Sequence, residues 1–135
     1  MKLRRRRELS PRDVAVLIVD DERDIRAVVR SHLEDFGFIE IKEAASGEEA
    51  LHMVHQNRPD LIVLDYMMSA MNGETVAPFL RVLAPNAAIV AFSGVLRFHP
   101  DWADDFVDKL AISELSRVCF EAVRSIQGLH IATSV

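Results

Sequence analysis

The sequence predicts an α/β fold, a doubly wound parallel sheet of five strands with helices on both faces. Three observations predict it. Residues 14–19, 61–64 and 87–92 are short, nearly unbroken apolar runs, the pattern of strands covered on both faces. The stretches between them carry apolar residues at helical spacing. Strand and helix patterns alternate, and right-handed crossovers then place helices on both sides of one parallel sheet. At 135 residues, half of them apolar, the chain is sized for one domain with its own core.

The first strand, residues 14–19, ends in Asp20 and Asp21. A helix follows over residues 21–36, because Ile25, Val28, Val29, Leu33 and Phe36 share one face, and Gly37 stands where a left-handed cap closes a helix. Residues 38–42 alternate as an edge strand does. Ser46 and Glu49 have the spacing of a capping box, opening a second helix through Asn57 that Arg58-Pro59-Asp60 stops. The third strand, residues 61–64, ends at Asp65. Residues 73–83 give a third helix with Val76, Phe79, Leu80 and Leu83 apolar; Pro78 either removes one hydrogen bond or delays the first turn. The fourth strand, residues 87–92, runs into Ser93 and Gly94. A weaker fifth, residues 105–107, leads to Lys109, and residues 111–126 form the last helix through Ile112, Leu115, Val118, Cys119, Ala122 and Ile126.

The net charge of −5 is unevenly divided: residues 1–12 sum to +5 and the remainder to −10. That excludes a basic nucleic-acid-binding body. Only the arm at residues 1–12 could touch phosphates or an anionic membrane. No apolar run approaches the roughly 18 residues that cross a bilayer, and the basic start is followed by polar residues, unlike a signal peptide. Cys119 stands alone, so no internal disulfide forms. The expectation is a cytoplasmic protein with a basic, flexible arm at 1–12, a domain at 13–127 and a short tail at 128–135.

In such a sheet the C-terminal ends of the strands share one edge, where ligands bind. Asp20, Asp21, Asp65, Ser93 and Lys109 all fall there. Two unit charges about 4 Å apart interact by roughly 4 kcal/mol at an effective dielectric near 20, so three carboxylates need a cation among them. Lys109 supplies one charge. The remaining negative excess suits a hard divalent ion, and Mg²⁺ fits carboxylates and a carbonyl better than zinc does.

Four motifs fall in register on these strand ends: Asp20-Asp21; Leu61-Ile-Val-Leu-Asp65 running on to Asn72-Gly73; Ala-Phe-Ser93-Gly94; and Ala103-Asp-Asp-Phe-Val-Asp-Lys109. Here the chain resembles the receiver domain of two-component response regulators, over about residues 13–127. The resemblance implies a flavodoxin-like sheet of order 2-1-3-4-5. It implies Asp65 as phosphoacceptor, served by a sensor histidine kinase or a histidine phosphotransfer protein and needing no small-molecule substrate. It implies Mg²⁺ held by Asp20, Asp21, Asp65 and the backbone carbonyl of Met67. Lys109 and Ser93 would contact phosphoryl oxygens, and Ser93 with Phe106 would form the switch. The protein would then be a non-enzymatic, single-domain response regulator acting through a downstream protein partner, with homodimerisation an open option. The alternative is a receiver-fold interaction module that binds partners without switching.

Three departures qualify the resemblance. Ser69 and Leu110 stand where the family usually has proline, so the Lys109–Leu110 bond is expected to be trans. Between Ser93 and Lys109 the chain is several residues shorter than usual, so the fourth helix is cut to a turn or two. Met67 and Val95 are apolar and would not position an attacking water, which points to slow dephosphorylation. Elsewhere, His52 and His55 read as solvated helix residues, Trp102 as a packing anchor, and Asp101, Asp104, Asp105 and Asp108 as a solvated acidic face.

Overall fold

The computed structural model describes the backbone of residues 8–133 and the side chains of residues 8–128. The elements in chain order are β1 (Ala15–Val19), α1 (Arg23–Phe36), β2 (Glu40–Ala44), α2 (Gly47–Gln56), β3 (Leu61–Leu64), α3 (Gly73–Leu83), β4 (Ala88–Ser93), β5 (Asp105–Asp108) and α4 (Leu115–Thr133). The strands pair in parallel in the order β2-β1-β3-β4-β5. The chain leaves β1 for one edge and returns on its other side, so the switch point lies between β1 and β3. Asp20 and Asp65 stand at the ends of those two adjacent strands.

The unbroken apolar runs have a direct cause. Leu61 and Val63 face the layer holding α1 and α4, whereas Ile62 and Leu64 face the layer holding α2 and α3, and all four are at most 2% exposed. Each such side chain contributes about 1.5–3 kcal/mol on leaving water.

Gly37 closes α1 as expected, at φ 121°. Its amide donates to the Glu34 carbonyl and that of Phe38 to Leu33, satisfying two orphan carbonyls of the helix end. This turn uses Phe38, which is fully buried, so β2 starts two residues later than the alternation suggested, with Glu40 opposite Ala15. The apolar stripe of α1 is narrower than its spacing implied. Val29 and Leu33 are buried, but Val28 is 46% exposed.

Ser46 caps α2 by accepting from the Glu49 amide at 3.1 Å, while the Glu49 carboxylate accepts from Ala45 at 3.3 Å instead of from Ser46. In α3 the Asn72 side chain caps the Thr75 amide at 2.9 Å, and the helix runs from Gly73 with Pro78 inside it. The chain gives up the Pro78 hydrogen bond and does not delay the start.

Several features differ from the sequence reading. The shortening between β4 and β5 is carried to its limit: residues 94–104 form bends and one turn at Asp101 and Trp102, with no helix. Of the acidic residues read as a solvated face, Asp101 is exposed, whereas Asp104 and Asp108 are anchors. Asp104 accepts from the Ile89 amide at 2.8 Å and from Arg81 at 2.7 Å, and Asp108 caps the next turn through the Leu110 amide at 2.8 Å. A crossover without a helix must be tied down by side chains. The last helix is longer than expected, with α4 continuing through Thr133 into the segment read as a tail. At the other end Leu9 packs on the α1–α4 core, and Pro11 lies close to Gly37, so residues 9–12 belong to the domain and not to a free arm. Lys2 and residues 4–7 lie outside the described residues. The Lys109–Leu110 bond is trans, and no helix among the described residues is long and apolar enough to cross a membrane.

Candidate functional site

The site begins with two carboxylates that the sheet forces inward. Asp20 is 2% and Asp65 4% exposed, each one residue past the end of its strand, and both backbones continue the ladder: the Asp65 amide donates to Val19 at 3.0 Å and that of Asp20 to Ala44 at 3.2 Å. Asp21 is exposed on the rim. One oxygen from each of the three carboxylates lies within 4.8 Å of the others.

Lys109 reaches across from the end of β5. Its Nζ lies 3.2 Å from Asp20 Oδ2, 3.3 Å from Asp65 Oδ1 and 5.9 Å from the centroid of the Phe92 ring. Burial opposes the lysine's charge, but the carboxylates of Asp65 and Asp20 outweigh it and hold the amine above its ordinary range. For Asp65, burial and then the Asp20 charge push the carboxyl up from 3.8 to about 6, against the pull of Lys109. Three carboxylates thus face one ammonium. The excess negative charge, all on hard oxygen donors gathered around one point, fits a small divalent cation.

Two residues that the sequence reading missed hold this geometry. Arg26 donates from a guanidinium nitrogen to the Asp20 carbonyl at 2.7 Å and from Nε to Glu43 at 3.1 Å, while Arg30 takes the other Glu43 oxygen at 2.7 Å. Burial of Glu43 is outweighed by Arg30 and Arg26, which keep its carboxyl below the usual range. Two arginines one helical turn apart were visible in the sequence, but their partner on β2 was not. Gly73 is the second. Its amide donates to the Tyr66 carbonyl at 2.9 Å, folding the loop after Asp65 back on itself, and a Cβ there would fall 2.5 Å from the Asp65 carbonyl oxygen. Only glycine permits that approach.

The remaining predicted residues surround this core. Ser93 is 1% exposed, and its Oγ accepts from the Val95 and Leu96 amides at 3.1 and 3.4 Å, which leaves its hydroxyl proton to donate. Met67 and Val95 are 60% and 57% exposed at the mouth. Phe106 is half-buried in the cluster that also holds Trp102, and Trp102 stacks on Tyr66 at 6.3 Å between ring centroids. His52 and His55 lie on the exposed face of α2, away from these residues.

Comparison with known proteins agrees with this geometry. A family model described as the response regulator receiver domain matches residues 16–101. The transcriptional regulatory protein YvrH of Bacillus subtilis is 44% identical over 69 residues, 51% of this chain and 29% of that protein. The autoinducer 1 sensor kinase/phosphatase LuxN of Vibrio harveyi is 36% identical over 122 residues, 90% of this chain and 14% of that protein. The chain thus spans less than a third of these relatives. The solved structure of the response regulator TrrA of Thermotoga maritima, in complex with Mg²⁺-BeF, superimposes with a TM-score of 0.73 at 31% identity, covering 81% of this chain and 98% of that one. A family match that runs from β1 past β4, joined to a nearly complete overlay on TrrA, places this chain in the receiver domain family of response regulators.

Proposed function

We propose that Asp65 accepts a phosphoryl group from a phosphohistidine on a sensor histidine kinase or histidine phosphotransfer protein, and that the phosphorylated form signals through a protein partner. The observation that carries this reading is the Lys109 ammonium between two buried carboxylates, 3.2 Å from Asp20 and 3.3 Å from Asp65. Phosphoryl transfer needs positioning and charge neutralisation more than covalent assistance. In the reaction a carboxylate oxygen of Asp65 bonds to phosphorus as the phosphorus–nitrogen bond breaks. The imidazole leaves with the electron pair and is then free to take a proton from water.

Asp20, Asp21, Asp65 and the Met67 carbonyl would hold Mg²⁺. Bound there, the ion neutralises charge on the phosphoryl oxygens. Lys109 supplies a second positive charge from the protein, and Ser93 offers its hydroxyl proton to a phosphoryl oxygen. The similarity to the sensor kinase/phosphatase LuxN supports a histidine kinase as donor.

Incubation with a small phosphodonor and Mg²⁺ should add one acid-stable, base-labile phosphoryl group, read by intact mass. Asp65→Ala should abolish it. Labelling that persists in that variant overturns the assignment.

A second reading, a module that binds partners without switching, is favoured by one feature: the crossover next to Ser93 and Phe106 has no helix to move. Trp102 lies in that segment and reports on it. If the switch operates, Mg²⁺ with beryllofluoride shifts Trp102 emission in the wild type and not in Asp65→Ala. No shift, with the phosphoryl label still forming, favours the module.

A further inference from the structure

The three earlier strand-to-strand connections each run through a helix, but the β4 to β5 connection does not. The β5 end of the sheet face that carries α2 and α3 is covered instead by side chains of the crossover, among them Leu96, Trp102 and Ala103. A groove is left between α3 and this segment. Its two adjoining hollows, of about 300 and about 370 Å³, share Asp101 and Trp102. The α3 wall presents Glu74, Pro78 and Arg81, which fall on one helical face.

We propose that this groove receives an amphipathic helix of a partner protein, with an apolar stripe toward Trp102 and Phe98 and with lysines or arginines toward Glu74 and Asp101. The partner helix would take the place in the layer that the chain's own crossover leaves without one. Parallel crossovers in a doubly wound sheet are normally helical, so a helix is the element that this layer ordinarily accepts.

Apolar surface and charge specify this occupant. Leu96, Phe98 and Trp102 line one of the two hollows together, and Phe98 is 83% exposed. Large apolar side chains grouped around a concavity mark an interaction site more than solvated surface. Glu74 and Asp101 are both exposed and form no ion pair among the described residues, whereas the Arg81 charge is already taken by Asp104 at 2.7 Å. Arg97 and His99 line the same hollow as Glu74 and Asp101. With Arg81 and Asp104 paired, two carboxylates face one arginine in the lining, a small acidic excess on a body that is itself negative. An apolar stripe with basic flanks complements both properties.

The proposal stands apart from the phosphoacceptor reading, since its test needs neither Mg²⁺ nor a phosphodonor. The full chain is titrated with two synthetic helical peptides that lack tryptophan. Both carry leucine along one face; one is flanked by lysines and the other by glutamates. Trp102, the only tryptophan in the chain, is the reporter. The lysine peptide should shift its emission saturably and bind at least about tenfold more tightly than the glutamate peptide. Both Glu74 and Asp101 are exposed, so the double variant Glu74→Lys/Asp101→Lys keeps the fold, and it should reverse the preference. Phe98→Glu should weaken both complexes.

Equal binding of the two peptides, no saturable change with either, or a preference unmoved by the double variant overturns the proposal. Sedimentation of the peptide-free protein decides the other occupant. A dimer dissociated by Phe98→Glu would assign the groove to a second copy of this chain and overturn the partner helix.

Discussion

Asp65 is 4% exposed and shares its corner with Asp20, so burial and a neighbouring carboxylate both oppose its negative charge. Its carboxyl titrates near 6 in the folded protein against 3.8 for the free side chain, because of burial first and Asp20 second. Between those values the folded state holds a proton that the unfolded state has lost. This group's contribution to the stability of the metal-free protein therefore falls as pH rises from about 4 to about 6, by at most about 3 kcal/mol. Asp65→Asn removes the titration. In EDTA at about pH 7.5 the variant should unfold at higher urea than the wild type, and the difference should vanish near pH 4. Excess Mg²⁺ should shift the wild type far more than the variant, because a ligand stabilises only the state that binds it. Arg26 supports the same corner from behind. Arg26→Gln should weaken Mg²⁺ binding about fivefold or more by freeing the Asp20 backbone, and Arg26→Lys should restore part of it, as followed by titration calorimetry. Asp20, Asp21, Asp65 and Lys109 were legible in the sequence because each stands at or just beyond the end of a strand, and in a parallel sheet those ends share one edge. Arg26 was not, because its role depends on Glu43 of another strand.

At the scale of elements, the regular pieces were read from local pattern and the joints were not. β3 and β4 announce themselves because a strand covered on both faces has no polar position to spare. The start of β2 was misplaced because Phe38 belongs both to the α1 cap and to the core, a double duty invisible in alternation. Gly73 shows the same limit. Its chain neighbours explain a helix start, but the 2.5 Å approach to the Asp65 carbonyl comes from a loop folding back over several residues. Gly73→Ala should therefore destabilise the protein by about 2 kcal/mol or more, although alanine is the better helix former by about 1 kcal/mol. Chemical denaturation checks the sign. A stabilised variant would mean that the loop moves aside freely, and a displaced Asp65 should also slow labelling by a small phosphodonor. Asp104 was read as solvated because its partners, Arg81 and the Ile89 amide, are brought to it only when the crossover lacks a helix.

For the whole molecule, the charge division and the packed domain do not share a boundary. The sequence places the change from basic to acidic at residue 12, but packing begins earlier. Leu9 lies against the α1–α4 core, the Ser10 amide donates to the Asp13 carboxylate at 3.0 Å, and Pro11 approaches Gly37. Charge reports what a segment repels, whereas apolar contact reports what it belongs to. In this chain the two differ by a few residues. Leu9 and Pro11 are both partly buried, which together contributes about 1–2 kcal/mol. A chain beginning at Glu8 should therefore unfold at a higher temperature than one beginning at Val14, by about 5–10 °C for a domain of this size. Leu9→Ala in the longer chain should reproduce most of that loss, because the contact and not the chain length is responsible. Equal melting temperatures for the two chains would return residues 8–12 to the arm. The site at the opposite edge of the sheet provides the control: Mg²⁺ affinity should be the same in both chains, since none of these contacts reaches Asp20, Asp65 or Lys109.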